Sequence, residues 1–516
     1  MDGMNRLLVF FVVLVPFFGF SQEPMDIDVP KYTQDAFLKF DFLPVQMPGD
    51  EPAMGLSGIH YNFNAGKSVY LGVGMYGAVT GIRGGFFSLG VNAGFKKYIT
   101  SKVYIDTGLH FGGGGGALTP DGGGAFILPH FNVGTHFSKF DISAGYSYIN
   151  FFDFGDIKGY QLVLDLSIPF SFDYAPYKFS GRILDLNNPN AESGWHQQTI
   201  LSSFKLGFDN LIVKAGVDGN GGFNEDKSIG LMGIEYDSYF NRNAFLFVKA
   251  DAAYRGIMAG YMDLFLGAGY QLPFNKDSFK LTGKFSLGAG GGGGVNTQGG
   301  FLMAPTVGLE KRIGHSTYLG VDVGYLLTPN RYFVASNYSF GLKYYLNQSG
   351  VLSSEGKPFQ FAKFKGFEMT VGQEVYLNAV RTKNKPTQDL YKILMQFNYS
   401  LNKYCYAIGQ TSFADFGNGG AYAEGIVGLG FKYMLPAANK FSFNAQLMAG
   451  TGGGGDVKTG DGVLLKSSLG MSYNFSEKLG ITTSFGKAIA KGDALNSTMF
   501  NIGLNYRVSF LMAKNK

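Results

Sequence analysis

From Phe500 to Phe510 every second residue is large and apolar (Phe500, Ile502, Leu504, Tyr506, Val508, Phe510), with Asn501, Gly503, Asn505, Arg507 and Ser509 between them. Tyr338 to Leu346 and Tyr160 to Phe170 follow the same rule. Successive side chains of a strand point to opposite faces, so each stretch predicts a strand with one apolar face and one small, polar face. Each is about ten residues or longer, the length a tilted strand needs to cross a bilayer. Past the start, no run reaches the ~18 consecutive apolar residues of a spanning helix. A soluble antiparallel sheet alternates too. Here the apolar face is rich in Phe, Tyr and Leu, the other in Gly, Ser, Asn and Thr, and no helix follows to cover either. Lipid outside and polar groups inside is the pattern of a membrane barrel.

The alternation is punctuated by a recurring glycine run. Gly112 to Gly116 returns as Gly290 to Gly294, and in shorter form as Gly452 to Gly455. The spacing, roughly 160 to 180 residues, exceeds that of solenoid repeats, so the unit is domain-sized. In the first copy strands are predicted near 36–46, 56–64, 67–77, 85–97, 102–113, 123–137, 139–150 and 158–171. Connections alternate between long and short. The short ones are Asn64-Ala65-Gly66, Tyr98 to Ser101 and Ser138, with counterparts at Asn241-Arg242-Asn243, Phe274-Asn275-Lys276, Leu401-Asn402-Lys403 and Phe475-Ser476-Glu477. Short periplasmic turns and longer outer loops characterise outer-membrane barrels. Each glycine run then falls in the third outer hairpin of its copy.

Eight strands per copy predicts an all-β, transmembrane antiparallel β-barrel of about 24 strands. One large closed barrel is preferred; three tandem eight-stranded barrels are the alternative. Closure is required in both, because an open sheet edge cannot face lipid. Pairing of Gln34–Gln46 with Asn501–Phe510 would mean one barrel, and with Tyr160–Phe170 three. The apolar phase flips at Asp209-Asn210, which predicts a turn with an extra strand, or a bulge. Pro129 and Pro305 each remove a ladder hydrogen bond, so a bulge is expected near both. The units are 22–172, 198–346 and 359–510, joined by linkers 173–197 and 347–358 and followed by a tail, 511–516. Trp195, the only Trp, suggests an interfacial anchor in the first linker.

Composition agrees with this reading. Of 516 residues 77 are Gly, about twice the usual ~7%, and charged residues are 16%, against about 25% in soluble domains. The net charge of +5 is spread without a basic block, so nucleic acid is not a predicted partner. The single Cys405 excludes an internal disulfide framework and a Cys-rich metal site. Residues 1–21, with Arg6, the apolar Leu7 to Phe18 and Gly19-Phe20-Ser21, read as a secretory signal peptide.

Asn501-Ile502-Gly503-Leu504-Asn505-Tyr506-Arg507-Val508, closed by Phe510, resembles the last-strand assembly signal of bacterial outer-membrane β-barrel proteins. With the signal peptide and the alternation, that resemblance covers essentially the whole mature chain without selecting one family. It implies the outer membrane as location, lipid as surroundings and the barrel-assembly machinery as a partner during biogenesis.

Alternation places Asp106, His110, His130, Asn132, His136, Asp141 and Asp165 inside the first unit, with His136 and Asp141 as cross-strand neighbours. Histidines with carboxylates suit metal binding or catalysis. The later copies lack the histidines, so an interior polar network is the preferred reading, with no metal or other cofactor. Ser143 and Ser147 face inward near His136, which leaves an outer-membrane lipid hydrolase as a minor alternative. The glycine runs (Gly112, Gly114, Gly116; Gly290, Gly292, Gly294; Gly452, Gly455) lack the Lys-Ser/Thr pair of a phosphate loop. They predict a bend in the wall or room for a folded-in loop or ligand. The functional expectation is a non-enzymatic pore or passive channel for small polar solutes. The alternative is a structural, adhesion or secretion-apparatus barrel that binds an unknown protein through its Gly-rich hairpins or lumen.

Overall fold

The computed structural model describes residues 29–185, 195, 201–216, 227–256, 259–346, 361–382, 385–435, 440–492 and 494–514. The expected signal peptide and the second linker lie outside them. The first unit comprises β1 (Tyr32–Val45), β2 (Met54–Asn64), β3 (Val69–Thr80), β4 (Phe87–Tyr98), β5 (Val103–Gly115), β6 (Phe126–His136), β7 (Asp141–Phe151) and β8 (Lys158–Tyr174). After the short β9 (Ile183–Asp185), the second has β10 (Ser202–Ala215), β11 (Ser228–Tyr239), β12 (Ala244–Arg255), β13 (Met262–Phe274), β14 (Phe279–Gly291), β15 (Phe301–Arg312), β16 (Thr317–Leu327) and β17 (Val334–Leu346). The third has β18 (Phe361–Ala379), β19 (Gln388–Ser400), β20 (Cys405–Ala414), β21 (Ala423–Met434), β22 (Phe441–Gly453), β23 (Val463–Asn474), β24 (Leu479–Ala490) and β25 (Asn496–Lys514).

Each set of eight closes on itself. Ala36 pairs with Phe170 across β1 and β8, Leu206 with Leu342 across β10 and β17, and Met369 with Tyr506 across β18 and β25. The strand number and the repeat are as the sequence predicts. The preferred single large barrel does not form; the tandem arrangement does. Long and short connections alternate through the first two barrels, and in the third except that the β21–β22 connection is no shorter than the β24–β25 one, so each barrel has a loop end and a turn end.

Three local expectations change. β10 runs unbroken through Asp209-Asn210, and its irregularity lies between Val213 and Ala215. The phase flips because the lumen itself turns apolar toward the loop end: Leu211 and Val213 point inward there. Beside Pro129 and Pro305 the ladder loses two rungs, yet Ile127↔Asn150 and His130↔Ser147, like Met303↔Leu327 and Thr306↔Gly324, keep one register. The missing N–H opens the ladder without a bulge. β25 continues past Phe510 to Lys514, paired with the start of β18 where a tail was expected.

The outward faces carry the apolar alternation: Tyr146 is 65% and Leu504 64% exposed. In the first linker Tyr177–Phe179 forms a 3-10 turn, and β9 adds to the edge of β18. Trp195 is no interfacial anchor. It is buried with Val29, Phe179 and Phe364 beneath the third barrel, and its Nε1 donates to the Val29 carbonyl at 2.8 Å.

Candidate functional site

An eight-stranded barrel is just wide enough for its side chains to fill. Each of these three is filled in two layers. At the loop end lies an apolar lid: Leu43, Met54, Tyr76, Phe126 and Phe151 in the first barrel, Leu211, Leu231, Leu302 and Phe333 in the second, Leu390, Tyr422, Leu464 and Leu495 in the third. Beneath each lid lies a buried polar network, since charges removed from water must find partners.

In the first barrel all seven sequence-predicted residues face the lumen, joined by Lys39, Asp41, His60 and Tyr70. Lys39 lies 3.1 Å from Asp165 and 3.8 Å from Asp106. Tyr70 donates to Asp106 at 2.9 Å, and His130 approaches the same carboxylate at 3.6 Å. Asn132 donates to Asp165 at 2.6 Å, and His110 meets Asn92 at 2.6 Å. At the turn end His136 and Asp141 pair at 2.6 Å as expected, and Lys96 reaches Asp141 at 2.5 Å. Ser143 donates to Asp165 and Ser147 accepts from Gln161; these bonds tie both serines into the network rather than to a histidine base.

The other two barrels replace histidine with lysine. In the second, Lys343 bridges Asp237 (2.7 Å) and Glu310 (2.8 Å), Lys249 bridges Asp209 (2.5 Å) and Asp251 (2.9 Å), and Lys284 pairs with Glu235 at 3.0 Å. In the third, Lys392 and Lys466 lie against Glu374 and Glu424 at 2.6 to 3.3 Å. Sequence reasoning passed over these residues, although each sits on the polar phase of its strand: Lys39 and Asp41, for instance, alternate with Leu38, Phe40 and Phe42. Among the described residues no three His, Cys, Asp or Glu side chains are grouped to hold a metal.

One cavity in the polar layer of each barrel is small, about 20 Å³ in the third, 30 Å³ in the second and 20 Å³ in the first. A buried water needs roughly 10–15 Å³ measured this way, so each has room for one or two waters. The described part of the first linker, residues 173–185, packs at the turn-end mouth of the third barrel. There the Tyr177 ring lies beneath Lys432 and Arg507, and Lys432 pairs with Glu368.

The glycine runs lie at seams between barrels. The run of each barrel meets the second outer loop of another, in a closed cycle. A Cβ added at Gly113 would lie 2.6 Å from the Ala414 carbonyl oxygen, and one at Gly453 would lie 2.5 Å from Ala259 Cβ. Between the first and second barrels the Gly84 N–H donates to the Gln298 carbonyl at 2.6 Å. Gly112, Gly290 and Gly452 belong to strands, and side chains there would strike Phe126, Leu302 and Leu464 of their own barrels. Gly116, Gly292, Gly294 and Gly455 have positive φ and turn the hairpins back. Gly114 packs against the Phe87 carbonyl. The folded-in loop expected at these runs is thus another outer loop. Below the seams Phe87, Leu89, Ala289, Ile393 and Phe413, drawn from all three barrels, form one apolar cluster.

The seam of the first and third barrels holds two acids in loops. Burial pushes Asp121 up to about 7 and Asp415 up to about 6. Unfolded, both ionise near pH 4. The folded state therefore binds more protons between pH 4 and 7, and these groups' contribution to stability is full below pH 4 and lost as the pH rises through 7. Thermal unfolding followed from pH 4 to 8 should show stability declining across this window, with a shallower decline in Asp121→Asn. An equally steep decline in that variant would contradict the assignment.

The class defined by this geometry is the closed antiparallel β-barrel with an apolar outer belt and a filled lumen, three times in one chain. No protein-family model matches the chain, and no curated protein matches it. Solved structures that align with it include the siderophore receptor PirA from Pseudomonas aeruginosa, at 10% identity over 94% of this chain and 81% of that one, TM-score 0.26. Pseudomonas aeruginosa OccK11 (OpdR) aligns at 10% identity over 95% and 99%, TM-score 0.22. The copper transporter OprC aligns at 9% over 94% and 82%, TM-score 0.29. Scores this low carry no argument about this chain.

Proposed function

We propose that this chain is a bacterial outer-membrane protein that holds a partner at the cell surface and does not conduct solutes. The observation that carries this reading is the filling of all three lumens, each with an apolar lid above a buried polar network. The membrane assignment draws on the apolar outward faces, the signal-peptide pattern and the last-strand motif. The loop ends then face outward, locked to one another by the glycine seams into one broad platform. On it Leu118 and Phe154 are 91% and 84% exposed, and both are held at positive φ, costly for side chains of this size. Exposed apolar side chains on constrained loops suit a protein partner. A second reading, slow passage of small polar solutes, is favoured by the chamber in the third barrel, whose walls include Thr370, Gln396, Asn398 and Asn505. Planar-bilayer recordings separate the two. The expected result is no steady conductance above the lipid baseline. A large stable conductance, or three equal small steps, would overturn the proposal in favour of a pore.

A further inference from the structure

Charge is divided unevenly between the two ends of the barrels. At the loop end of the first the signs are mixed: Asp50, Asp153 and Asp156 occur with Lys158, and Arg83 is tied to Glu51 at 2.6 Å. Around its three short turns the exposed charges have one sign, from Lys67, Lys97, Lys102 and Lys139. The turn ends of the other barrels add Lys276 and Lys311, and Lys403 and Lys440, again exposed. Among the described residues none of these eight lies within ion-pair distance of a carboxylate. Of the acids at this end, Asp173 is taken by Lys31 (2.8 Å), Asp277 by Arg242 (2.8 Å) and Glu477 by Lys178 (2.6 Å), and Asp35 lies where β1 meets β8. The lysines are scattered along the sequence, and the alternation of turns and loops gathers them at one end. The same turns bare apolar side chains. Ile99, between Lys97 and Lys102, is 65% exposed, and Phe137 and Phe140 flank Lys139 with their rings stacked at 4.9 Å. Lys97 also ends the outward row Val91, Ala93 and Phe95 on β4. The Lys96 N–H donates to the Ser68 carbonyl at 2.8 Å, which carries the ladder one step past Val69↔Phe95, and Lys67 and Lys97 are the next residues on the two sides. Like charges brought together across a ladder repel.

We infer that the turn end is a docking surface for the headgroups of anionic glycerophospholipids in the periplasmic leaflet, whose phosphates are held by these exposed lysines. The inference rests on the membrane assignment above, not on the absence of conduction. Cations alternating with bare apolar side chains suit the depth where hydrocarbon gives way to headgroups. A phosphate between Lys67 and Lys97 removes their repulsion and forms charge-assisted hydrogen bonds. An acidic protein would need one compact patch of roughly 800 Å². The lysines are instead spread over the turns of all three barrels, as a leaflet surrounding them requires.

The test offers the full chain, purified in mild detergent, equal amounts of phosphatidylglycerol and phosphatidylcholine and counts the bound lipids by native mass spectrometry. Wild type should bind the anionic lipid about 5-fold more than the zwitterionic one, each headgroup meeting about one lysine. Salt screens exposed charges, so the preference should shrink as salt is raised before transfer to the spectrometer. In K67Q/K97Q/K102Q/K139Q/K276Q/K311Q/K403Q/K440Q it should vanish. With arginine at the same eight positions it should persist, which separates loss of charge from loss of fold. No preference in wild type, the result that an acidic protein partner predicts, would overturn the inference, as would a preference unchanged in the glutamine variant. A stronger preference for lipid A, abolished by the same substitutions, would put the turns in the outer leaflet and overturn it too. Failure of the protein to co-float with liposomes would instead sink the membrane assignment itself.

Discussion

Lys466→Met should destabilise the third barrel by about 3–5 kcal/mol, the usual cost of stranding a buried charge. Lys466 contacts Glu374 at 2.6 and 2.7 Å and Glu424 at 3.3 Å, and Lys392 completes a balanced set of two cations and two anions. All four side chains are buried, with Tyr376 and Tyr422 donating to Glu424. Methionine leaves two carboxylates facing one lysine. The cost arises from the uncompensated charge, not from the lost contact, so Lys466→Met combined with Glu374→Gln should recover much of the stability. Denaturant titration in micelles provides the measurement. Trp195, the only tryptophan, meets Phe364 edge-to-face with ring centres 5.1 Å apart and so reports the turn end of this barrel. A loss below about 1 kcal/mol, the scale of an exposed pair, would mean that water reaches the network.

Gly453→Val should part the second and third barrels while leaving each closed. The added Cβ would lie 2.5 Å from Ala259 Cβ and 2.7 Å from the Ala259 carbonyl carbon, in the other barrel's loop rather than in its own lumen. Backbone cannot yield as a long side chain can, so the expected cost is about 1–3 kcal/mol, taken as separation of the loops. Spin labels at Arg331 and Asp461, introduced as cysteines on a Cys405→Ser background, should show a longer and broader distance distribution in the variant. An unchanged distribution would mean that the seam does not hold the barrels together.

The polar sites were legible to different degrees. His136 and Asp141 were identified as neighbours because a short turn fixes register, and they pair at 2.6 Å. Asp106, Asn132 and Asp165 were placed in the lumen by alternation alone. Lys39, Asp41, Lys392 and Glu424 obey the same alternation, but nothing local in the chain distinguishes a lysine or carboxylate paired in a lumen from one that is solvated. Chemistry-bearing residue types are a poorer guide to a barrel interior than strand phase. The flip at Asp209-Asn210 misled for a related reason. Two-face patterning assumes that inside is polar along the whole strand, and near an apolar lid it is not.

By itself the sequence determined the strands, their order, the alternation of turns and loops, the threefold repeat and the inward residues. All of these follow from local periodicity and short connections. Only the tertiary structure decided which strand closes against β1. Every strand edge offers the same row of N–H and C=O groups, so backbone pairing carries no label that would distinguish β8 from β25. The tertiary structure also decided what the glycine runs do. In the chain they mark three equivalent hairpins. In space their missing side chains let the outer loop of one barrel lie against the backbone of another, a contact between segments up to about 300 residues apart, as with Gly113 and Ala414, that no local pattern encodes.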